Sequence, residues 1–409
     1  MHLRNEWAIE ILLLVSFFLQ LVLLFFAGFR RVGASAVLKL VVWPAYQLAD
    51  FVATFTIGHL SVGHERRRLV AFWAPVLLLH LGGPDNITAY SLADNQLWKR
   101  HLVFGLVPQA LGAANVIYRS FAGTTTTLLS AAMLMFAIGV LKYGERTWAL
   151  KYANLSSIRS SVNVVKTPPE RRGQYYPPSS LPRRDGEDAD EEELLLVAHS
   201  HFHICKRAMA DSSVEVDSGD YDSKIFSYGW KEMCRVVEME LSLMYDILYT
   251  KAAVMHTWFG FAIRVVSPLA VAAALGLFRL EDDLGSYRQI DVDITYALLV
   301  AAFVLETTSL CRAIGATWIA ALLQTTRWAW LRHEALCTGR WSRLRRAVAS
   351  LRRLVHRDGH RYWSGTMGQF NVLHFCTRDG AAARLGAAAE KAGLGSWWNR
   401  HVNAGSIVI

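Results

Sequence analysis

Long apolar runs constrain this chain more than any other feature of its sequence. A bilayer core about 30 Å thick needs roughly 20 apolar residues per helix, because every backbone polar group must be satisfied within the segment. The first run, residues 7–28, is longer than the apolar part of a signal peptide, so we interpret it as an anchor, with cleavage after Ala34-Ser35-Ala36 left open. The other predicted spans are residues 37–60, 69–82, 101–118, 124–141, 252–277 and 294–323.

Composition agrees with a membrane protein. Hydrophobic residues make up 53% of the chain and charged residues 19%, and the mean hydropathy is +0.23, which excludes disordered, collagen-like and disulfide-rich secreted chains. The five cysteines form no CxxC pair, so reduced thiols are expected. The sequence therefore predicts an all-α, polytopic helical bundle of about seven spans. The short third run is either re-entrant or buried by its neighbours.

The distribution of lysine and arginine over short loops predicts the orientation. With the N-terminus outside, Arg66, Arg67 and Arg68 are the unfavourable outer charges. The connection 279–293 is acidic, however, and the segment 327–361 after the last span is rich in arginine. We therefore predict the N-terminus outside and the C-terminus inside. The cytoplasmic side would then hold Arg30, Arg31, Lys99, Arg100, Lys142, Arg146 and Lys151.

Four regions follow from this pattern. Residues 1–150 form a membrane bundle of five hydrophobic segments, 151–250 a helical cytoplasmic insert with a disordered linker at 168–190, 251–330 the last two membrane helices, and 331–409 a basic tail. In the tail, apolar residues recur at helical spacing among arginines, which predicts an amphipathic helix on anionic lipid rather than a nucleic-acid site. Its lipid-facing arginines are Arg343, Arg345, Arg346, Arg352 and Arg353.

Four ionisable residues fall inside the predicted spans: Asp50, Arg264, Glu306 and Arg312. A lone charge in mid-membrane costs at least roughly 2.5–3.5 kcal/mol, so these groups are expected to pair. At 1.5 Å of rise per residue, Asp50 lies about 20 Å and Arg264 about 18 Å from the cytoplasmic start of its helix, which predicts an ion pair between them. Glu306 can join this pair, and Arg312 can extend to the inner surface. We favour a structural pair over a proton or solute pathway.

A second candidate site is the glycine- and proline-containing loop after the third run. His80, Asp85, Asn86, Asp94 and His101 are its polar candidates. Asp85 or Asn86 can cap the next helical turn, which requires no chemistry. A histidine and an aspartate can also perform acid–base catalysis, and irregular backbone at membrane depth is typical of transport sites. Asn86 begins a glycosylation sequon, which the predicted topology places inside and therefore unmodified.

Alternating histidines and a cysteine suggest a metal site only at first sight. His199, His201, His203 and Cys205 share one face on a strand, whereas the run from Asp190 is predicted to be helical. Two ligands on one helix face do not make a closed zinc site, so we expect neither a metal nor another cofactor. The familiar motifs of nucleotide-binding and hydrolytic enzymes are not present in the sequence either.

Several sequence blocks resemble a known family. They are NEWAIEILLLVSFFLQ, LADFVATFTIGHLS, LHLGGPDNITAYSLADNQLWKRH, GVLKYGERTWALKYAN, MYDILYTKAAVMHTWFGFAIRVVSP, VDITYALLVAAFVLE and WSGTMGQFNVLHFC. With them the chain resembles the plant multi-pass membrane proteins of "domain of unknown function 4220", over residues 5 to about 376. The resemblance implies a shortened member without the usual "domain of unknown function 594" region. It supplies no activity and no catalytic residue.

Three functions stay open from the sequence. The first is a membrane-anchored scaffold or signalling component in a plant plasma membrane or endomembrane, with a protein partner on its cytoplasmic face. The second is a transporter or channel-like protein that uses Asp50, Arg264 and Glu306, which predicts a continuous polar cavity reaching all three. The third is an intramembrane enzyme, which predicts that His80, Asp85 and His101 converge on one cavity.

Overall fold

The structure is a computed structural model that describes residues 2–31, 36–62, 68–121, 127–163, 191–210, 229–255, 257–281 and 285–315. Within these ranges the chain is helical and contains no β-strand, which confirms the predicted all-α class. The predicted linker 168–190 and the basic tail 331–409, with its five arginines, lie outside the described residues. The disorder and the amphipathic helix predicted there stay predictions.

Six of the described helices are long and apolar enough to cross a membrane. One of them is composite, since α5, a π-helical segment (His101–Leu106) and α6 run on without a break. The helices in chain order are α1 (His2–Phe26), α2 (Ala36–Val62), α3 (Arg68–Gly82), α4 (Leu92–Gln96), α5 (Trp98–Arg100), α6 (Val107–Phe121), α7 (Thr127–Tyr152), α8 (Leu155–Asn163), α9 (Glu191–Met209), α10 (Trp230–Tyr249), α11 (Ala252–Met255), α12 (Trp258–Arg279) and α13 (Gln289–Gly315).

The short helix α3 lies at the centre of the bundle. Its residues are buried from Leu69 to Gly82, and it packs against α1, α2, α6, α7 and α13. With 15 residues it is about 22 Å long at 1.5 Å per residue, which is less than a bilayer core of about 30 Å. A helix that is apolar all round is stable only when it is surrounded. Of the two alternatives for this run, burial by its neighbours is therefore correct.

Contacts at one end of the bundle join the end of α1, the loop 83–91 and the end of α10. We call this the loop end. Arg30 on the short 3-10 helix that follows α1 donates from Nε to the hydroxyl of Tyr245 at 3.1 Å, and the amide of Asn86 donates to the carbonyl of Leu24 at 2.8 Å. Thr88 donates from its backbone N–H to Tyr249 at 2.8 Å. The insert helix α10 therefore meets the bundle at this end.

The other end of the bundle is defined by a separate set of contacts. Glu281, which follows α12, accepts from the backbone N–H of Leu128 at 2.8 Å and so caps the start of α7. Arg288, which precedes α13, pairs with Glu10 of α1 at 3.3 Å. Because each long helix has one terminus at each end, successive spans run antiparallel. The start of α1 and the end of α13 lie at opposite ends.

Two predicted boundaries differ from the observed ones by six residues or more. Helix α7 continues to Tyr152 instead of ending at residue 141, because the charges that follow Leu141 are paired inside the bundle. Helix α12 begins at Trp258 rather than at residue 252, because Thr257 caps it by accepting from the backbone N–H of Gly260 at 3.1 Å. A Cβ on Gly260 would lie 2.1 Å from the carbonyl oxygen of Val254, so only glycine fits at this break.

The insert helices α8, α9 and α10 form a small layer that we call the platform. Helices α9 and α10 were predicted and are confirmed, at Glu191–Met209 and Trp230–Tyr249. Their facing sides form two apolar clusters, one around Val197 and Met239 and the other around Phe202, Leu243 and Ile158 of α8. The platform thus has a core of its own beside the bundle.

Candidate functional site

The carboxylate of Asp85 is the centre of a buried cluster at the loop end. It accepts from Arg264 at 2.8 Å (Nη2 to Oδ1) and 3.3 Å (Nε to Oδ2), and Lys251 Nζ lies 3.3 Å from Oδ1. The hydroxyl of Ser309 on α13 also donates to it. Burial raises the pKa of Asp85, but the positive charges of Arg264, Lys142 and Lys251 outweigh it and hold this pKa well below its usual range. The carboxylate is therefore ionised.

The two bases beside Asp85 are fully buried. Lys251, between α10 and α11, donates to the carbonyl of Gly83 at 2.8 Å, and Gly83 adopts a positive φ of 65° that turns the chain after α3. Burial lowers the pKa of Lys251, and attraction to Asp85 and Glu145 offsets only part of this effect. Arg264 also donates to Glu145 on α7, whose side chain has no exposed surface. The cluster thus joins the loop, α7 and α12.

Helix α7 supplies three charged residues at i, i+3 and i+4 spacing. Lys142 pairs with Glu306 of α13 at 2.8 Å, and Glu145 pairs with Arg264 as above. Arg146 makes a bidentate pair with Asp50 of α2, at 2.6 and 2.9 Å. One and a half turns of α7 therefore bind α2, α12 and α13.

These pairs form one electrically neutral set, which we call the charge network. It contains four acids and four bases, so each ionised group has a partner of opposite sign. Removing one partner from a buried pair costs about 3–5 kcal/mol, because the other charge is left uncompensated. The arrangement can fix four helices and a loop against one another without a ligand. Its members are Asp50, Asp85, Glu145, Glu306, Lys142, Arg146, Lys251 and Arg264.

The predicted ion pair between Asp50 and Arg264 is wrong. Asp50 pairs with Arg146, and Arg264 pairs with Asp85 and Glu145. The prediction compared depths along the helix axes and left out which helices are neighbours. Helix α12 packs against α7 and α13, whereas α2 packs against α1, α3 and α6. Asp50 and Arg264 instead bond to different residues of α7, Arg146 and Glu145, so equal depth did not decide the pairing.

The other two intramembrane charges lie beside a small cavity. Glu306 pairs with Lys142 and does not join Asp50, whereas Arg312 is half-buried on the last described turn of α13. Both line a cavity of about 50 Å³ at the loop end, together with Asp85 and His80. Asp50 and Arg264 do not line it.

The five loop candidates take different positions. Asp85 joins the charge network, and Asn86 donates to the carbonyls of Leu23 and Leu24 at the end of α1. The predicted cap at Asp85 or Asn86 is therefore wrong; Asp94 accepts from the backbone N–H of Ser91 at 2.9 Å instead. The reason is that the loop folds back into the bundle before α4 starts.

The two histidines of this set lie apart. His80, on α3, bonds through Nδ1 to the hydroxyl of Ser16 at 3.0 Å, whereas His101 starts the π-helical segment. The cavity lined by His80 and Asp85 does not include His101. The cavity at the loop end thus brings together His80 and Asp85 of the enzyme hypothesis, but not His101. In the described part of the chain no three His, Cys, Asp or Glu side chains form a metal-binding group.

Half of the charge network is not predicted from the sequence. Lys142, Glu145, Arg146 and Lys251 fall outside the predicted spans and were therefore not expected as site residues. The available signal was the i, i+3, i+4 spacing of three charges on a continuous apolar helix. Lys251 had no comparable signal, since its burial depends on the break between α11 and α12.

A family comparison covers the region that contains this site. The sequence model of the family described as "Domain of unknown function (DUF4220)" matches residues 43–376. The chain belongs to this family. All eight residues of the charge network lie within the DUF4220 match, as do α3 and the platform. No curated protein and no solved structure matches the chain.

Proposed function

We propose that this DUF4220 protein is a membrane-anchored interaction component whose bundle holds the platform at the membrane surface for a protein partner. The observation that carries the proposal is the set of contacts that attaches the platform to the loop end. A carrier that moves solute needs elements that rearrange, whereas an interaction component needs a surface held in place. The attachment consists of three sets of contacts.

An aromatic cage provides the first attachment. The guanidinium of Arg30, at the end of α1, lies 4.7 Å from the ring centroid of Tyr90, 4.9 Å from that of Tyr249 and 5.7 Å from that of Tyr245. These rings come from the loop 83–91 and from α10. Cation–π contacts of this kind contribute about 0.5–2 kcal/mol each when partly buried. The cage therefore links the bundle to the platform.

The second and third attachments are polar. Arg31 pairs with Asp246 of α10 at 3.3 Å, and Asn95 donates from its side chain to the carbonyl of Leu248 at 2.9 Å. Lys251, two residues after the end of α10, donates from its backbone N–H to the backbone carbonyl of Asp85 at 3.1 Å, while its ammonium group belongs to the charge network. Every one of these contacts would have to break for the platform to leave the bundle.

Aromatic side chains support a membrane surface at the loop end. Trp148 stacks on Tyr152 at 6.1 Å and lies 5.9 Å from Phe259, and all three are more than 40% exposed. Lys151 lies 5.3 Å above the ring of Trp98. Tryptophan, tyrosine and lysine are enriched where helices leave the bilayer. The lysine and arginine distribution favours a loop end on the cytoplasmic side. The membrane we propose, a plant plasma membrane or endomembrane, rests on the family resemblance alone.

Photo-cross-linking tests the proposed partner surface. A photoreactive amino acid at Trp230 of α10, which is 73% exposed, is compared with one at Tyr118, which is 74% exposed at the opposite end. Full-length protein is irradiated in native membranes. We expect a discrete protein adduct from position 230 and none from position 118. The same adducts from both positions, or lipid adducts alone, would contradict the proposal.

A transport function receives less support from the same geometry. The transport hypothesis predicts a polar cavity that reaches Asp50, Arg264 and Glu306. Of these three residues, Glu306 lines the cavity at the loop end, whereas Asp50 and Arg264 do not. Proteoliposomes with an internal pH-sensitive dye test the simplest case. Proton flux that disappears in Glu306→Gln, with unchanged incorporation, would favour transport over the interaction component.

A further inference from the structure

The cavity at the loop end is a groove between two helices that carry different surfaces. Gln20 and Leu24 of α1 form one wall, and Leu305 and Arg312 of α13 form part of the other. Its inner side is closed by the end of α3 and by α7. A water needs about 10–15 Å³ of such space, so a volume of about 50 Å³ accommodates about three or four waters. This is room for a polar group and too little for an acyl chain.

Among the described residues around the groove, one base, Arg312, has no paired acid. Asp85 and Glu306 also line it, but both belong to the neutral charge network. Among the described residues no carboxylate pairs with Arg312. Arg312 therefore adds one net positive charge at the mouth of the groove. An arginine fork matches the geometry of a phosphate group.

The outer surfaces of both walls are apolar and exposed. Phe25 and Phe26 follow Leu24 on α1, and Phe303 and Val304 precede Leu305 on α13, all four with exposed side chains. Two such surfaces flanking a groove are typical of helices that face lipid tails. Arg312 follows these exposed residues on α13 and lines the groove at the loop end. A bound molecule would thus have its polar part in the groove and its apolar part outside.

We infer that the groove between α1 and α13 binds the headgroup of an anionic phospholipid, with its phosphate on Arg312. The apolar walls favour a lipid over inorganic phosphate as the source of the anion. The site is independent of the proposed partner surface on the platform. It is also distinct from the predicted basic helix around Arg343–Arg353, which carries arginines on a different part of the chain.

Lipid-dependent thermal stability of the full-length protein tests this inference. Wild type, Arg312→Gln and the control Arg119→Gln are placed in phosphatidylcholine nanodiscs with or without about 20% phosphatidic acid. This fraction represents a moderately anionic membrane. Arg119 is a suitable control because it is exposed at the opposite end and, among the described residues, donates to Ser61 alone. We expect phosphatidic acid to raise the Tm of wild type and of Arg119→Gln. The shift should be lost in Arg312→Gln.

Native mass spectrometry in detergent provides the second measurement. Retention of added phosphatidic acid should weaken about tenfold in Arg312→Gln, as expected for one charge-assisted contact. Leu305→Trp, which fills the groove and leaves the charge in place, should weaken it as well and covers the case in which Arg312→Gln does not fold. Inorganic phosphate at the same concentration should not compete. Competition by phosphate, or unchanged lipid retention in both variants, would overturn the inference.

Discussion

Single buried charges in this protein are tolerated because each one has a specific partner. Arg264 and Glu145 have no exposed side-chain surface, and either one alone would be strongly unfavourable in a dry bundle. Their pairing is set by contacts across helices, so the position of a charge along its own helix says little about its partner. Asp50 illustrates this, since it lies in α2 and pairs with Arg146.

A double-mutant cycle distinguishes the observed pairs from the one predicted by depth. Glu145→Gln and Arg264→Met remove the two partners of one contact. The loss of unfolding free energy in the double variant should therefore differ from the sum of the two single losses by about 0.5–3 kcal/mol. Asp50→Asn and Arg264→Met share no partner and should be additive within about 0.5 kcal/mol. Thermal unfolding in detergent measures both cycles. Coupling of Asp50 to Arg264 would restore the depth-based pair.

The platform contains a carboxyl whose protonation is tied to folding. Burial raises the pKa of Glu240 from 4.5 to about 7. Between these two values the unfolded chain releases its proton while the folded chain keeps it, so the contribution of Glu240 to stability falls as pH rises. We expect Glu240→Gln to be more stable than wild type at pH 8 and to lose this advantage at pH 4.5. Melting curves of both proteins across this range test the sign.

At the scale of elements, the crossing of α3 and α7 organises the bundle. Gly139 of α7 faces α3 so closely that a Cβ would lie 3.1 Å from the backbone nitrogen of Leu79 and 3.2 Å from the Cβ of Leu78. Small residues let membrane helices approach in this way. The approach also brings the charged turn of α7 beside the end of α3. Arg146 can therefore donate to the carbonyl of Leu81 at 2.9 Å.

Replacing the glycine at this crossing should destabilise the bundle. Gly139→Ala introduces a methyl group against the backbone of α3 and should cost about 1–3 kcal/mol as overpacking. Gly276→Ala in α12 is the matched control, because nothing lies within 4 Å of a Cβ there. It should be neutral or stabilising by up to about 1 kcal/mol, since alanine is the better helix former. Equal losses in the two variants would contradict the close approach.

At the scale of the whole molecule, the two ends of the bundle differ in what they carry. The loop end has the charge network, the platform and the groove, whereas the opposite end has separate contacts such as the pair of Arg288 with Glu10 at 3.3 Å. A buried, neutral network at one end and a lipid-exposed middle are compatible with a fixed orientation in the bilayer. The proposed orientation places the loop end in the cytoplasm.

Labelling of single cysteines in sealed cells tests this orientation. Cys234 is exposed on α10, and Gly285→Cys would place a thiol at an open position near the opposite end. Each is kept as the single cysteine of a variant in which the others are serine. A membrane-impermeant maleimide should label position 285 in intact cells and position 234 only after permeabilisation. The reverse pattern would invert the orientation, and labelling of both in intact cells would contradict opposite ends.

The sequence by itself determined the all-α class, the helices α9 and α10 and most of the apolar spans. These features depend on hydrophobicity summed over about 20 neighbouring residues and on helical periodicity, which are local quantities. It also indicated a polar loop around Asp85, because glycine and proline end α3 there.

Only the tertiary structure decided the partners of the charges, the burial of α3 and the position of Lys251. The reason is physical: an ion pair depends on which helices are neighbours, and neighbours are chosen by packing between segments far apart in the chain. From the sequence, Lys142, Glu145 and Arg146 mark a cytoplasmic boundary. In the structure they pair with residues of α13, α12 and α2 inside the bundle. In a sequence taken alone, a charged residue marks the end of an apolar span. The helix can continue through that residue when a neighbouring helix supplies the opposite charge.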